Sequence, residues 1–185
     1  MKLVLYRDDG ELLEVIEDCG EVVYDREAQT LTYRGGQFWP FKNNYAVLED
    51  YERVNYDVLL EHYKQDKISE LNEACEETIL AGFYCEATGH YYEFSAYDQM
   101  NFTQQFIRLM ANPNEAGPIR WKTEDAGVIE HTREEFLAVC DAAEVHKRGN
   151  IEHYWKLKER VGQATTFEEV NSIQWTSWEP AREEE

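Results

Sequence analysis

Ala81-Gly82-Phe83-Tyr84-Cys85-Glu86-Ala87-Thr88-Gly89-His90-Tyr91-Tyr92-Glu93-Phe94 is the stretch that decides the fold. Ala81-Gly82 stops a helical pattern. Two short aromatic runs then flank the turn Ala87-Thr88-Gly89, which reads as a β-hairpin. Upstream of it, Val54, Val58, Ile68, Leu71, Cys75 and Ile79 recur at steps of three and four, so a helix is predicted over 51–80. Glu61, Gln65 and Asn72 share its stripe. A helix this long with a half-polar seam points to a coiled coil or an interdomain connector, with two helices broken near Gln65-Asp66 as the alternative.

Further upstream, residues 1–50 read as β. Lys2 to Arg7 and Glu11 to Glu17 flank the turn Asp8-Asp9-Gly10. Val22-Val23-Tyr24, Thr30 to Tyr33 and Tyr45 to Leu48 supply further strands, with Gly35-Gly36 as a breaker. A single small antiparallel sheet or barrel of meander type is expected.

Downstream of the hairpin, Ser95 or Asp98 can cap a helix to about Met110, with Phe102, Phe106 and Leu109 on one face. Asn112 to Pro118 is a loop, and Asp125-Ala126-Gly127 turns a second hairpin. Thr132-Arg133-Glu134-Glu135 is a capping box opening a long helix to about Gly162, with an interruption expected at Gly149-Asn150. Thr166-Phe167-Glu168-Glu169 opens a short one. The fold class is therefore α+β: an N-terminal antiparallel β domain (1–50), a long connecting helix (51–80), a mostly helical C-terminal domain with short hairpins (81–178), and an acidic tail (179–185).

Composition limits the partners. The net charge is −20, from 18 basic and 38 acidic residues, and it is spread along the chain. Such a field repels phosphate backbones and anionic lipid, so neither nucleic acid nor membrane is expected as a partner. No run approaches the ~18 apolar residues of a membrane span. No signal peptide is read at the N-terminus, which argues for the cytosol. Cys19, Cys75, Cys85 and Cys140 lack metal-ligand or disulfide-framework spacing and read as free core thiols.

No catalytic signature is present: GxSxG, GxxxxGK[ST], HExxH and GxGxxG are all missing. Acidic pairs such as Glu76/Glu77 arise readily among 38 acidic residues. Cys140, His146 and His153 are poorly spaced for convergent ligation. Neither catalytic residues, a metal nor a cofactor is expected. The aromatic groups carry more: Phe38, Trp39 and Phe41 around Pro40, then Tyr91 and Tyr92, and Trp175. They are candidate partner-contact residues, with core packing and a glycan-stacking platform as the other readings. Gln99 and Asn101 read as pins of the hairpin-to-helix junction.

In order, Glu70-Leu71-Asn72-Glu73-Ala74-Cys75, Ala81-Gly82-Phe83, Asp98-Gln99-Met100-Asn101, Tyr154-Trp155-Lys156-Leu157-Lys158 and Glu168 to Trp175 carry a resemblance over about residues 65–178. They resemble an uncharacterised domain family of tailed bacteriophages and prophages, encoded beside or fused to tail-fibre genes. The resemblance implies a tail locus and no chemistry. With the residues, it leads to the expectation of a non-enzymatic tail accessory protein. Such a protein binds the tail-fibre or receptor-binding protein in the host cytoplasm during assembly and assists its folding, assembly or attachment. A structural adaptor in the virion tail or baseplate, and a glycan-binding module, are the alternatives. A homo-oligomer through the 51–80 helix is a further expectation.

Overall fold

The computed structural model describes residues 1–114 and 117–178. Glu115 and Ala116, within the expected 112–118 loop, and the expected acidic tail 179–185 lie outside the described residues. The chain is an α+β protein, and it divides into two compact units. Met1–Glu70 with Lys158–Gln174 forms one, and Leu71–Leu157 with the segment from Trp175 forms the other. The boundaries expected from sequence were continuous, whereas the first unit takes residues 158–174 back from the far end of the chain.

The first unit begins with two three-stranded antiparallel sheets instead of one meander. One has the order β2 (Leu12–Ile16), β1 (Lys2–Tyr6), β6 (Asn44–Leu48); the other is β3 (Val23–Asp25), β4 (Thr30–Tyr33), β5 (Gly36–Phe38). A meander would set β1 at an edge. Here Leu3 lies opposite both Ile16 and Val47, so β1 is central and all five of its residues are buried. Its unbroken Leu3-Val4-Leu5-Tyr6 run suits a strand covered on both faces. Leu3 and Leu5 join Cys19, Leu31 and Phe41 in one core. On the other face the Tyr6 ring meets Tyr63 and Phe167 at centroid distances of 6.4 and 6.0 Å. Phe167 opens α4 (Phe167–Asn171), whose cap is Thr166 Oγ1 accepting from the Glu169 amide at 3.1 Å.

Helix α1 (Tyr56–Leu80) starts five residues later than expected. A turn closes first, with the Glu52 amide donating to Glu49 O, and Asn55 Oδ1 then accepts from the Val58 amide at 3.0 Å as the cap. The helix continues unbroken through Gln65-Asp66. Its apolar positions are used within the chain: Leu59 and Leu60 are buried in the first unit, and Leu71, Cys75 and Ile79 in the second.

The second unit contains the deciding hairpin, β7 (Phe83–Cys85) and β8 (His90–Tyr92), then α2 (Ala96–Ala111), the hairpin β9 (Ile119–Thr123) and β10 (Gly127–His131), and most of α3 (Arg133–Gln163). Ser95 caps α2 in a reciprocal box with Asp98. Thr132 and Glu135 do the same for α3, through bonds of 2.7 and 3.1 Å. The core is aromatic: Phe83, Tyr92, Phe94, Phe102 and Phe136 pack together around Val139. The turn of the second hairpin also meets β8, because Asp125 Oδ1 accepts from the Tyr91 amide at 3.1 Å and the Glu124 amide donates to Tyr91 O at 2.9 Å.

The interruption expected at Gly149-Asn150 does not occur; α3 runs through both residues. Gly149 is there because the Trp178 ring packs directly on it, where a Cβ would collide. Asn150 is fully buried, donates from Nδ2 to His146 O at 2.9 Å and accepts from the Trp178 amide at 3.3 Å. Both residues hold the C-terminal segment against α3, so tertiary packing overrides their helix propensity.

Candidate functional site

The site is an apolar groove in the second unit between α2 and α3, with a volume of about 450 Å³. Phe94, Phe102 and Leu137 form its floor, and Phe106 forms one lip. The floor is rigid, since Phe102 stacks on Trp121 at 4.5 Å and on Phe136 at 5.8 Å. Gln99 closes one end. Its Nε2 donates to Phe94 O at 3.1 Å, and its Oε1 accepts from Lys147 Nζ at 2.6 Å. That side chain ties the hairpin exit, α2 and α3 to one another. Asp141 and Glu144 stand on the α3 side.

The thiol lining the groove is not an activated one. Burial lifts the Cys140 thiol to about 11, so it is protonated at neutral pH and a weak nucleophile. Burial lowers the pKa of His146, which stays neutral, with Nε2 donating to Ile79 O at 3.4 Å while its ring stacks on Phe83. His153 turns elsewhere, against the Trp175 ring at 5.2 Å. Cys140, His146 and His153 thus do not converge. Among the described residues no group of three or more His, Cys, Asp or Glu side chains could hold a metal ion. A second histidine, His131, is buried behind the hairpin; its Nε2 accepts from Tyr92 OH at 2.7 Å and its Nδ1 donates to Ile119 O at 3.3 Å. Burial lowers its pKa as well.

The expected contact residues separate into core and surface. Phe41 and Tyr92 are buried, so neither can touch a partner, and both are core residues. Phe38 is half-buried and stacks on Tyr33 at 5.5 Å. Trp175 is half-buried and donates from Nε1 to Thr78 Oγ1 at 2.9 Å, closing the second unit. Trp39 remains, 72% exposed, on the first unit. Tyr91 is exposed on the second, paired with the exposed Tyr84 at 4.9 Å. Asn101 is exposed on α2 and lines a shallow polar groove with Gln105, Arg120 and Lys122. The same groove is lined by Glu93 and Asp98, which flank the hairpin-to-helix junction. Phe106 was read from sequence only as part of one apolar face of α2, and Leu137 and Lys147 were not singled out. Lys147 lies 48 residues from Gln99, a separation that no local pattern reports.

A hairpin-and-helix α+β unit with an apolar two-helix groove is the class this geometry defines. The chain belongs to the family described as Domain of unknown function (DUF4376), which matches residues 62–174. The match takes in the groove and the 158–174 return but leaves out both N-terminal sheets. No curated protein and no solved structure matches the chain. Among the described residues no helix is long and apolar enough to cross a membrane.

Proposed function

We propose that this protein is a non-enzymatic accessory protein of bacteriophage tail assembly. It holds an apolar segment of the tail-fibre or receptor-binding protein in the α2/α3 groove while that protein folds, assembles or is attached. The groove carries the reading: a preformed apolar floor between two helices, with its cationic end tied to an amide and its thiol protonated, accepts side chains and offers no activated nucleophile. The resemblance of the 65–178 motifs to a tail-locus family supplies the partner. The excess of acid supports solubility beside a β-rich, aggregation-prone client.

Co-expression with the fibre protein encoded alongside tests this. The soluble yield of the fibre should rise, the two should co-purify, and Phe106→Glu should abolish the complex without unfolding the chain. Absence of a complex under every condition overturns the reading. A fixed copy number in purified virions would instead make it a resident adaptor. One observation favours a second reading. The exposed Tyr84–Tyr91 pair, beside His90 hydrogen-bonded to Asp125 at 2.9 Å, has the form of a sugar-stacking platform. Glycan-array binding lost in Tyr91→Ala would establish it.

A further inference from the structure

The α2/α3 groove ends on a cation that no acid answers. Lys147 is half-buried at the end that Gln99 closes, and its ammonium donates to a neutral amide oxygen. Among the described residues it forms no ion pair, although the chain has 38 acidic side chains. Its partner is itself fixed: Gln99 Nε2 donates to Phe94 O at 3.1 Å, which aims Oε1 at the lysine. An ammonium carries three donors, and Gln99 takes one of them. A held cation at the end of an apolar groove calls for a ligand with an anionic head and an apolar tail.

We propose that the groove binds an aliphatic monocarboxylate of about twelve carbons, its head on Lys147 and its chain over Phe94, Phe102 and Leu137. Charge places the head. Asp141 and Glu144 also line the groove. Glu144 is engaged with Arg148, Oε1 to Nε at 3.4 Å. Asp141 precedes Lys147 on α3 by about 9 Å along the axis, so it stands beside the chain and away from the head. The −20 of the whole molecule is screened beyond about 8 Å at physiological salt, and the contact with Lys147 decides.

Length and polarity set the tail. From Lys147 back to Leu137 the groove follows α3 for about 15 Å. An extended alkyl chain advances about 1.3 Å per carbon, so about twelve carbons span it. The polar groups on the way are already engaged: Gln99 bonds Phe94 and Lys147, and Thr103 Oγ1 donates to Gln99 O at 2.8 Å. An extended peptide lying there would leave its amides and carbonyls unanswered, whereas an alkyl chain has none to satisfy. The acid takes the floor given above to side chains of the fibre protein, so the two ligands exclude each other. It requires no partner protein, and its failure would leave the fibre reading to the co-expression experiment.

Calorimetry on the purified chain with dodecanoate, kept below its micelle-forming concentration, is the test, with dodecanol as the uncharged control. Dodecanoate should bind one to one, and more tightly than dodecanol by about tenfold or more. Lys147→Met keeps the stem and removes the charge. It should weaken dodecanoate by about tenfold or more and leave dodecanol unchanged. Across straight-chain acids, affinity should rise about fourfold per methylene up to about twelve carbons and then level off. No binding of dodecanoate, equal affinity for dodecanol, or dodecanoate binding unchanged in Lys147→Met overturns the proposal. So does affinity that still climbs past about sixteen carbons, the mark of adsorption to a surface. The comparison of acid with alcohol needs no variant, and it decides the matter if Lys147→Met fails to fold.

Discussion

In the second unit, packed elements are mostly sequence neighbours: β7 pairs with β8, β9 with β10, and Phe83, Phe94 and Phe102 stack within twenty residues of one another. In the first, β1 is completed by β6 from beyond one intervening strand, β2, and a second sheet, and its other face is covered by Phe167 from near the end of the chain. The first unit is thus a composite, with sheets outside the DUF4376 match and a helical cover inside it. The contrast shows that a unit with local pairing can be read from local signals, while a unit closed by a distant segment hides its boundary until the packing is seen.

The strongest way to break this contrast is Phe167→Ala. Phe167 is buried, with Tyr6, Tyr56 and Tyr63 within 6.0 Å. The loss should be about 3–5 kcal/mol in denaturant unfolding. Amide exchange should rise in β1, at the opposite end of the sequence, more than in β7 and β8. Equal protection losses in both places would mean that the division into units has no energetic content.

Gly149→Ala addresses the second unit at its own closing contact. A Cβ there must displace Trp178, so a loss of about 1–3 kcal/mol in thermal or chemical denaturation is expected. Gly162, on the same helix, has nothing within 4 Å of an added Cβ, and Gly162→Ala should cost no stability. If the two variants behave alike, Trp178 does not hold the segment.

Acid should sharpen the contrast further. His131 and His146, both in the second unit, are kept neutral by burial. The unfolded chain binds these protons more readily than the folded one. Their contribution is therefore complete above the unfolded value of about 6.5 and is lost as pH falls through the depressed folded values. Denaturation midpoints should fall as pH drops below about 6.5, ahead of the range where Asp125 and Glu135, whose pKa values hydrogen bonding lowers, are titrated. A flat profile in that window would show that neither histidine is linked to folding.

The smallest effect is expected at Trp39. Its ring is exposed while Phe41 two positions on is buried. Trp39→Ala should change stability by less than about 0.5 kcal/mol. If the ring anchors the fibre protein, the same variant should weaken that complex by about 2 kcal/mol or more, measured by calorimetry. A large stability loss would place the ring in the core after all.

What was legible in the sequence was what short range dictates. The hairpin around Ala87-Thr88-Gly89, the Thr132–Glu135 box and the Thr166 cap all depend on residues within a few positions of one another. The pairing of β1 with β6 and the return of 158–174 depend on none, so alternation and capping could not assign them. Gly149-Asn150 was misread because propensity charges the helix for both residues and knows nothing of the Trp178 ring they receive. Part of the aromatic reading failed for a related reason: Phe41 and Tyr92 look the same in sequence as Trp39 and Tyr91, and what decides is the pleat of β8 for the tyrosines and the bend between β5 and β6 for Trp39 and Phe41.

The bonds from Asp125 and Glu124 to Tyr91 do more than join a turn to a strand. They occupy the outward amide and carbonyl of a strand that would otherwise be an open edge. A β-rich chain arriving there finds no free ladder to extend. At Tyr91 the outer edge of β8 is therefore closed to an incoming strand.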